Sequence, residues 1–452
     1  MEREVNLEEV LSAREARANS QTEWMDRLGL PVVSFCLNIA GPVKNSPILR
    51  RAFHEGLDQL EDNLTAVGFT IAKRRELDQP TGCEALWAIQ GTGQEIKQLC
   101  VALEENHPLG RLYDFDVLEP GRGAWERSEL GFSPRRCLVC GREGKGCASR
   151  RLHSVAELQQ VTSDLLRRFF AQQDSARIGN LAGRALLYEV CTTPKPGLVD
   201  RHNNGSHRDM DLFTFLDSTT ALIPYFQQAV SCGQQTADLS PEETFRLLRP
   251  AGLWAERAMN RATGGVNTHK GAIFSLGTLC AAVGRLWNPA GEAWNIPALL
   301  EQCSNMTRSA VQETFSHLSS DNVRTVGQRL YLKYGLSGIR GELASGLPSV
   351  QQIGLPALHS ALNAGATLEE AGVSALLSLL SSVTDTNLIA RGGLEGLHWV
   401  KQRTQGLSQV QVDQLQIAQQ LDEEFISRNL SPGGCADLLA ITYFLFFLEQ
   451  LS

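Results

Sequence analysis

Two aspartates separated by a single residue stand in the run Gly110-Arg111-Leu112-Tyr113-Asp114-Phe115-Asp116. Residues i and i+2 of a strand point to the same face, so Asp114 and Asp116 would present paired carboxylates close to Arg111. Such a pair holds Mg²⁺, which neutralises the charge that builds on a phosphoryl group under attack. On its own the spacing is weak evidence, because two solvated carboxylates on an edge strand produce it too. A second constellation follows: Cys137-x2-Cys140-x6-Cys147-x5-His153. Three thiols and an imidazole could close around a structural Zn²⁺, and four protein ligands would leave no open position for catalysis. The middle gap is shorter than in most zinc motifs, and the same residues also read as reduced thiols at a domain edge.

Five polar motifs lie further on. They are Thr193-Pro194-Lys195-Pro196-Gly197-Leu198-Val199-Asp200 with Ser206-His207-Arg208-Asp209; Asn267-Thr268-His269-Lys270-Gly271; Gly338-Ile339-Arg340-Gly341-Glu342; Asp385-Thr386-Asn387 with Arg391; and Ser431-Pro432-Gly433-Gly434-Cys435-Ala436-Asp437. Singly, each has a local explanation. Pro-Lys-Pro-Gly is a rigid turn. Ser206, with Asp209 behind it, and Ser431 before Pro432 read as helix caps. Together they ask for more, since helices and short loops need no recurring Lys, His, Asp, Asn and Arg. A triphosphate site does. Lys195, Lys270, Arg340 and Arg391 supply positive charge, and Asp200, Asp209, Asp385 and Asp437 supply carboxylates for Mg²⁺. Glycine-rich turns before helices turn backbone N–H groups toward phosphate.

The elements that must carry these residues differ along the chain. Val32 to Ile39 reads as a strand, Ser46 to Ala66 as a helix, and Phe69 to Ala72 and Ala85 to Ile89 as strands around a turn at Pro80-Thr81-Gly82. Gln94 to Glu105 reads as a helix, and Leu112 to Leu118 alternates as a half-buried strand does. The order βαββαβ predicts an α+β domain over residues 1–160, with helices on one face of a sheet. From Ser154 onward the apolar period is helical, as in Val155 to Gln172, Ser175 to Cys191, Leu212 to Val230, Glu242 to Arg261 and Val410 to Arg428. Residues 161–452 therefore read as an all-α domain.

The 452 residues exceed the usual single-core size, consistent with two domains. A formal charge of −8 argues against nucleic acid as a partner. The charged start MEREVNLEEV lacks the apolar stretch of a secretory signal, and Leu438 to Leu448 is too short to span a bilayer. A reducing cytoplasm with free thiols is expected, with no membrane partner.

GRLYDFDV, followed by Pro134-Arg135-Arg136-Cys137-Leu138-Val139-Cys140, Cys147 and His153, resembles the apo-citrate lyase phosphoribosyl-dephospho-CoA transferase family, over about Val32 to Leu158. The resemblance implies transfer of a prosthetic-group precursor onto a serine of the citrate lyase acyl carrier protein, with pyrophosphate leaving. Arg135 and Arg136 would then hold pyrophosphate or lie on the surface. PKPGLVD, NTHKG, DTN and SPGGxADLLA in combination resemble the triphosphoribosyl-dephospho-CoA synthase family, over about residues 170 to 450. What this implies is that ATP and 3′-dephospho-CoA give 2′-(5″-triphosphoribosyl)-3′-dephospho-CoA and adenine. On that chemistry Asn267, Thr268 and Asn387 fall with the substrate-binding motifs, and His207, His269 and Glu342 are candidates for proton transfer. The N-terminal product-consuming step and the C-terminal product-making step would be successive. The equivalent route for malonate decarboxylase and a nucleotide-sensing module are the rival readings.

Overall fold

Val32–Leu37 (β1) is β-branched and apolar, and it becomes the centre of a sheet because both faces of it are covered. The computed structural model describes residues 3–291, 293–407 and 414–451. It divides into two compact units, the first reaching Ala171 and including a short return segment from Asn288, the second holding the rest.

In the first unit Leu7–Leu28 (α1) precedes β1; Pro47–Val67 (α2), Thr70–Gln79 (β2), Gly82–Gln90 (β3), Gly93–Asn106 (α3), Tyr113–Glu119 (β4) and Gly123–Ala124 (β5) follow. The antiparallel sheet has the order β2-β3-β1-β4-β5. The register pairs Ser34 with Leu86 and Asp116, and Cys36 with Glu84 and Asp114. Alternation then fixes the faces. Phe35 stacks on Phe53 of α2 and on Phe115, with ring centroids 5.0 and 4.3 Å apart, so α2 covers the Phe35 face. Trp24 of α1 packs with Val32, Leu86 and Ala88 on the opposite face. The expectation of helices on one face is thereby corrected. α1 carries a weak apolar stripe, with Leu7 and Leu11 exposed and Trp24 buried, so periodicity did not mark it. Its capping box, Asn6 with Glu9, was the available signal.

After Gly144–Ser149 (α4) comes Val155–Cys191 (α5), one helix where two were expected, because Gln172 to Ser175 contains no Gly or Pro to interrupt it. The division between units falls inside this helix rather than near residue 160. The second unit continues with Leu212–Gln235 (α6), Pro241–Ala262 (α7), Lys270–Arg285 (α8), Ile296–Ser316 (α9), Val326–Tyr334 (α10), Gly338–Ala344 (α11), Leu355–Asn363 (α12), Leu368–Ser382 (α13), Thr386–Thr404 (α14), Gln414–Ser427 (α15) and Gly433–Glu449 (α16). The start of the helix expected from Val410, residues 410–413, lies outside the described residues. α16 is apolar around its whole circumference and buried from Leu438 to Leu448, with α8 and α13 similarly buried beside it. A helix hydrophobic on all sides belongs at the centre of a bundle. Among the described residues no single helix is long and apolar enough to cross a membrane. Asn267–Gly271 and Ser431–Asp437 sit at the starts of α8 and α16 and Asp385–Asn387 just after α13, while Thr193–Asp200 follows α5 and Gly338–Glu342 lies in α11.

Candidate active sites

On the α1 face of the sheet, Glu84, Cys36, Asp114 and Asp116 share one side of three adjacent strands. Arg17 of α1 bonds Glu84 at 3.2 Å and interacts with Cys36 and Asp116. Asp116 reaches solvent, yet the surrounding protein and the like charge of Asp114 push its pKa upward. The cation bound to Asp114 is Arg135, at 3.0 Å, and Arg135 also pairs with buried Glu104. Arg111 occupies the turn before β4; its Nε is buried without a hydrogen-bond partner, and Arg135 and Glu104 lie near it. β4 is held from α3: Lys97 Nζ donates to the Phe115 carbonyl at 2.8 Å, and Glu104 accepts the Phe115 N–H at 3.1 Å. That pair satisfies the edge backbone between the two aspartates and fixes both side chains outward. Arg17, Glu84, Lys97 and Glu104 were not found from the sequence, because their meaning depends on which strands neighbour β4.

Cys137, Cys140, Cys147 and His153 come together, with one ligand atom from each lying within 4.8 Å of all the others.

The second unit buries a charged group. Lys195, 1% exposed, pairs with Glu189 at the end of α5. Asp437, on the first turns of α16, feels Glu189 and Asp385, and burial pushes its carboxyl up to about 8. Asp437 Oδ2 lies against Gly271 in the first turn of α8, where unsatisfied N–H groups and the positive end of the helix dipole gather. Buried His269, the residue before α8, feels Lys195, and burial drops its pKa to about 3. Thr268 Oγ1 donates to Ser218 Oγ, and Ser218 Oγ lies 2.7 Å from His269 Nδ1. Ser218 then donates to Nδ1, which leaves the neutral ring with its hydrogen on Nε2. That Nε2 is buried with no hydrogen-bond partner among the described residues. Four stretches far apart in sequence thus meet around Glu189, Lys195, His269, Asp385 and Asp437. Glu189 was missed from the sequence, although a signal existed: it falls on the stripe Ile178, Ala182, Ala185 and Leu186, an acid on an apolar face.

His207 joins a neighbouring group. Arg391 donates to its Nδ1 at 3.2 Å, so Nε2 carries the hydrogen toward Ser431 Oγ at 2.9 Å. Burial and Arg391 lower its pKa. Both nitrogens are engaged, which suits a fixed neutral bridge better than a proton carrier. Ser431, expected as a cap, serves His207, and Ser206 donates to the Leu430 carbonyl while Asp211 caps α6.

Other expected residues have backbone duties. Asp200 accepts from the N–H groups of Lys195, His202 and Asn203, and Asp385 from those of Asn387, Leu388 and Cys435. Asp209 is two-thirds exposed at 3.9 Å from His207, and among the described residues the three do not gather as a metal-ligand group. Buried Asp422, missed in the sequence, accepts from Gly197 N and Asn203 Nδ2 and anchors the same loop. Glu342 accepts from the N–H and hydroxyl of Ser349. Asn267 accepts from Lys270 N, and Asn387 Nδ2 faces Gly433. Lys270 turns to Glu256 of α7 at 2.9 Å, and Arg340 lies over Phe274, near the same glutamate.

A family model described as apo-citrate lyase phosphoribosyl-dephospho-CoA transferase matches residues 5–169, and one described as ATP:dephospho-CoA triphosphoribosyl transferase matches residues 175–452. The chain is 36% identical to protein CitXG of Leuconostoc mesenteroides subsp. cremoris, over 98% of this chain and 97% of that protein. It is 37% identical to protein CitXG of Haemophilus influenzae, over 98% and 96%. Its helical part is 42% identical to the 2-(5″-triphosphoribosyl)-3′-dephosphocoenzyme-A synthase of Pectobacterium atrosepticum, over 65% of this chain and 95% of that enzyme. With both family models matched in this order and the likeness running nearly end to end, the chain belongs to the CitXG family of fused transferases for the citrate lyase prosthetic group.

Proposed function

We propose that the helical unit makes the triphosphoribosyl-dephospho-CoA precursor and that the sheet-bearing unit attaches it to the acyl carrier protein of citrate lyase. In the first reaction the 2′-hydroxyl of 3′-dephospho-CoA attacks the anomeric carbon of the ATP ribose. Adenine leaves and the triphosphate is kept. The observation that carries this reading is the group of buried Glu189, Lys195, His269 and Asp385 with half-buried Asp437, assembled from separate stretches at the ends of α5, α8, α14 and α16. Buried titratable groups that perturb one another are what acid–base chemistry on a nucleotide requires. Asp437, protonated near neutrality, gives its proton to departing adenine, and the proton leaving the 2′-hydroxyl restores it. His269 Nε2–H donates a hydrogen bond to substrate, and Glu189, paired with Lys195, faces the oxocarbenium-like sugar. Lys195, Lys270, Arg340 and Arg391 bind phosphate.

In the second reaction a carrier-protein serine attacks the α-phosphate of the 5′-triphosphate, and pyrophosphate leaves. Asp114 and Asp116 would hold Mg²⁺; the like-charge crowding that raises Asp116 is relieved by a cation. Bound there, Mg²⁺ neutralises charge on the phosphoryl oxygens. Arg135, held by Asp114 and Glu104, and Arg111 bind the departing pyrophosphate. The eleven cysteines are unpaired, which suits a reducing cytoplasm.

The test is incubation with ATP and 3′-dephospho-CoA, followed by addition of apo acyl carrier protein. Adenine should appear first and a mass gain on the carrier serine second. Binding of both nucleotides without adenine release would replace this reading by a sensor.

A further inference from the structure

Between Pro134 and His153 the one buried residue described is Cys147. A segment of that length with no apolar core of its own needs another source of order. Its ordered geometry is nevertheless specific. Cys137 N–H donates to the Arg142 carbonyl at 2.6 Å and Gly141 N–H to the Cys137 carbonyl at 3.0 Å, with Gly141 at φ +70°. The N–H groups of Val139 and Cys140 turn toward Cys137 Sγ. Cys140 and Cys147 sulfurs are 3.5 Å apart, far beyond the roughly 2.05 Å of a disulfide and near the just-under-4 Å that two Zn–S bonds of about 2.3 Å subtend at a tetrahedral angle. His153 Nε2 is shut off from solvent and has no hydrogen-bond partner among the described residues.

We propose that Cys137, Cys140, Cys147 and His153 bind one structural Zn²⁺, and that this knuckle is the device that holds Arg135 against Asp114. Arg135 lies just ahead of the first ligand. Its carbonyl accepts the Gly144 N–H at 2.8 Å, across the knuckle, and a Cβ at Gly144 would sit 2.9 Å from that oxygen. Arg136 bridges to Glu143 in the same loop. The backbone at and just after Arg135 is therefore tied to the metal loop, while its guanidinium reaches Asp114 and Glu104. Four protein ligands close the ion's coordination, so it acts on Arg135 only through the chain. The second half of the proposal rests on reading Asp114 and Asp116 as the transfer site.

The test uses the full chain purified without chelator from zinc-supplemented medium. Elemental analysis should give one zinc per chain, and C140S or C147S should give less than a tenth of that. Trypsin should cut at Arg142, Lys145 or Arg150 in the variants and in chelated wild type, and zinc re-addition to wild type should restore protection. Attachment of pre-made precursor should fall at least tenfold in kcat on zinc loss, with KM for the carrier protein within twofold and adenine release within twofold. R135K should show the same kcat loss with zinc retained. Substoichiometric zinc, a Cys140–Cys147 disulfide, or variants that keep their metal would overturn the site. Zinc-free protein that attaches at the full rate would overturn the positioning role. D114N that keeps zinc and full attachment would instead refute the reading of the aspartates.

Discussion

Asp437 Oδ2 lies so close to Gly271 that a Cβ on that glycine would come within 1.9 Å of it. The first turns of α8 and α16 touch at this point, and only a hydrogen fits between them. Glu189 and Asp385 lie near enough to act on this carboxyl, whose pKa is pushed up to about 8, by burial first.

Gly271→Ala should therefore displace Asp437 from α8. Overpacking of this kind costs about 1–3 kcal/mol. Adenine release should fall at least tenfold, while attachment of pre-made precursor stays within twofold. Parallel assays of the two reactions and a thermal melt check this.

Asp437 and His269 titrate in opposite senses. Asp437 is raised from 3.8 to about 8, so the folded chain keeps that proton longer than the unfolded chain does. Its contribution to stability is present below pH 3.8 and is lost as pH rises through about 8. His269 is lowered from 6.5 to about 3, so its contribution is present above pH 6.5 and is lost as pH falls toward 3. Asp437→Asn should flatten the decline of stability between pH 4 and 8 and cut adenine release by about 10²-fold or more. Denaturant midpoints across pH, for wild type and variant, measure the first effect. A variant with an unchanged pH slope would show that Asp437 is not the group responsible.

The Lys195–Glu189 pair is buried on both sides. Removing one partner strands a charge, so Lys195→Met alone should cost about 3–5 kcal/mol. Adding Glu189→Leu should recover much of that stability without recovering adenine release. The double-mutant cycle separates packing from chemistry, because only the activity loss should persist.

Lys270 pairs with Glu256 at a half-exposed site. Lys270→Ala should change stability by less than about 1 kcal/mol. Adenine release should nevertheless decline, with KM for ATP rising more than kcat falls, as expected for a group that binds phosphate in the ground state. Equal KM values in variant and wild type would remove Lys270 from the site.

Asp114→Asn together with Asp116→Asn should abolish attachment and leave adenine release within twofold of wild type. Loss of both activities in a folded variant would mean that the two reactions do not have separate centres.

Much of this protein is legible in its chain of letters. Apolar runs predict β1 and β3 and an alternating run predicts β4, each within a few residues, and period-three-to-four runs predict the helical second unit, because apolar spacing is a local property. The Asp114–Asp116 pair and the cysteine cluster are legible for the same reason: their members are close in sequence, and strand or loop geometry brings them together. Helix α1 is not legible from periodicity, since Trp24 is its one buried residue, and its capping box is a weaker mark.

Which arginine meets Asp114, whether Asp200 and Asp385 have oxygens to spare, and which acid accompanies Lys195 are decided elsewhere. Arg111 is the nearer arginine in sequence, but the loop carrying Arg135 returns to β4 and delivers the guanidinium there. Asp200 and Asp385 are consumed by backbone N–H groups that exist only once their loops are closed. Glu189 looks like one acid among many until α5 and α16 bury it. Residue types and local spacing determine what chemistry is available. Packing determines which groups lose water and which neighbours they then feel, and those long-range terms set protonation, pairing and reach.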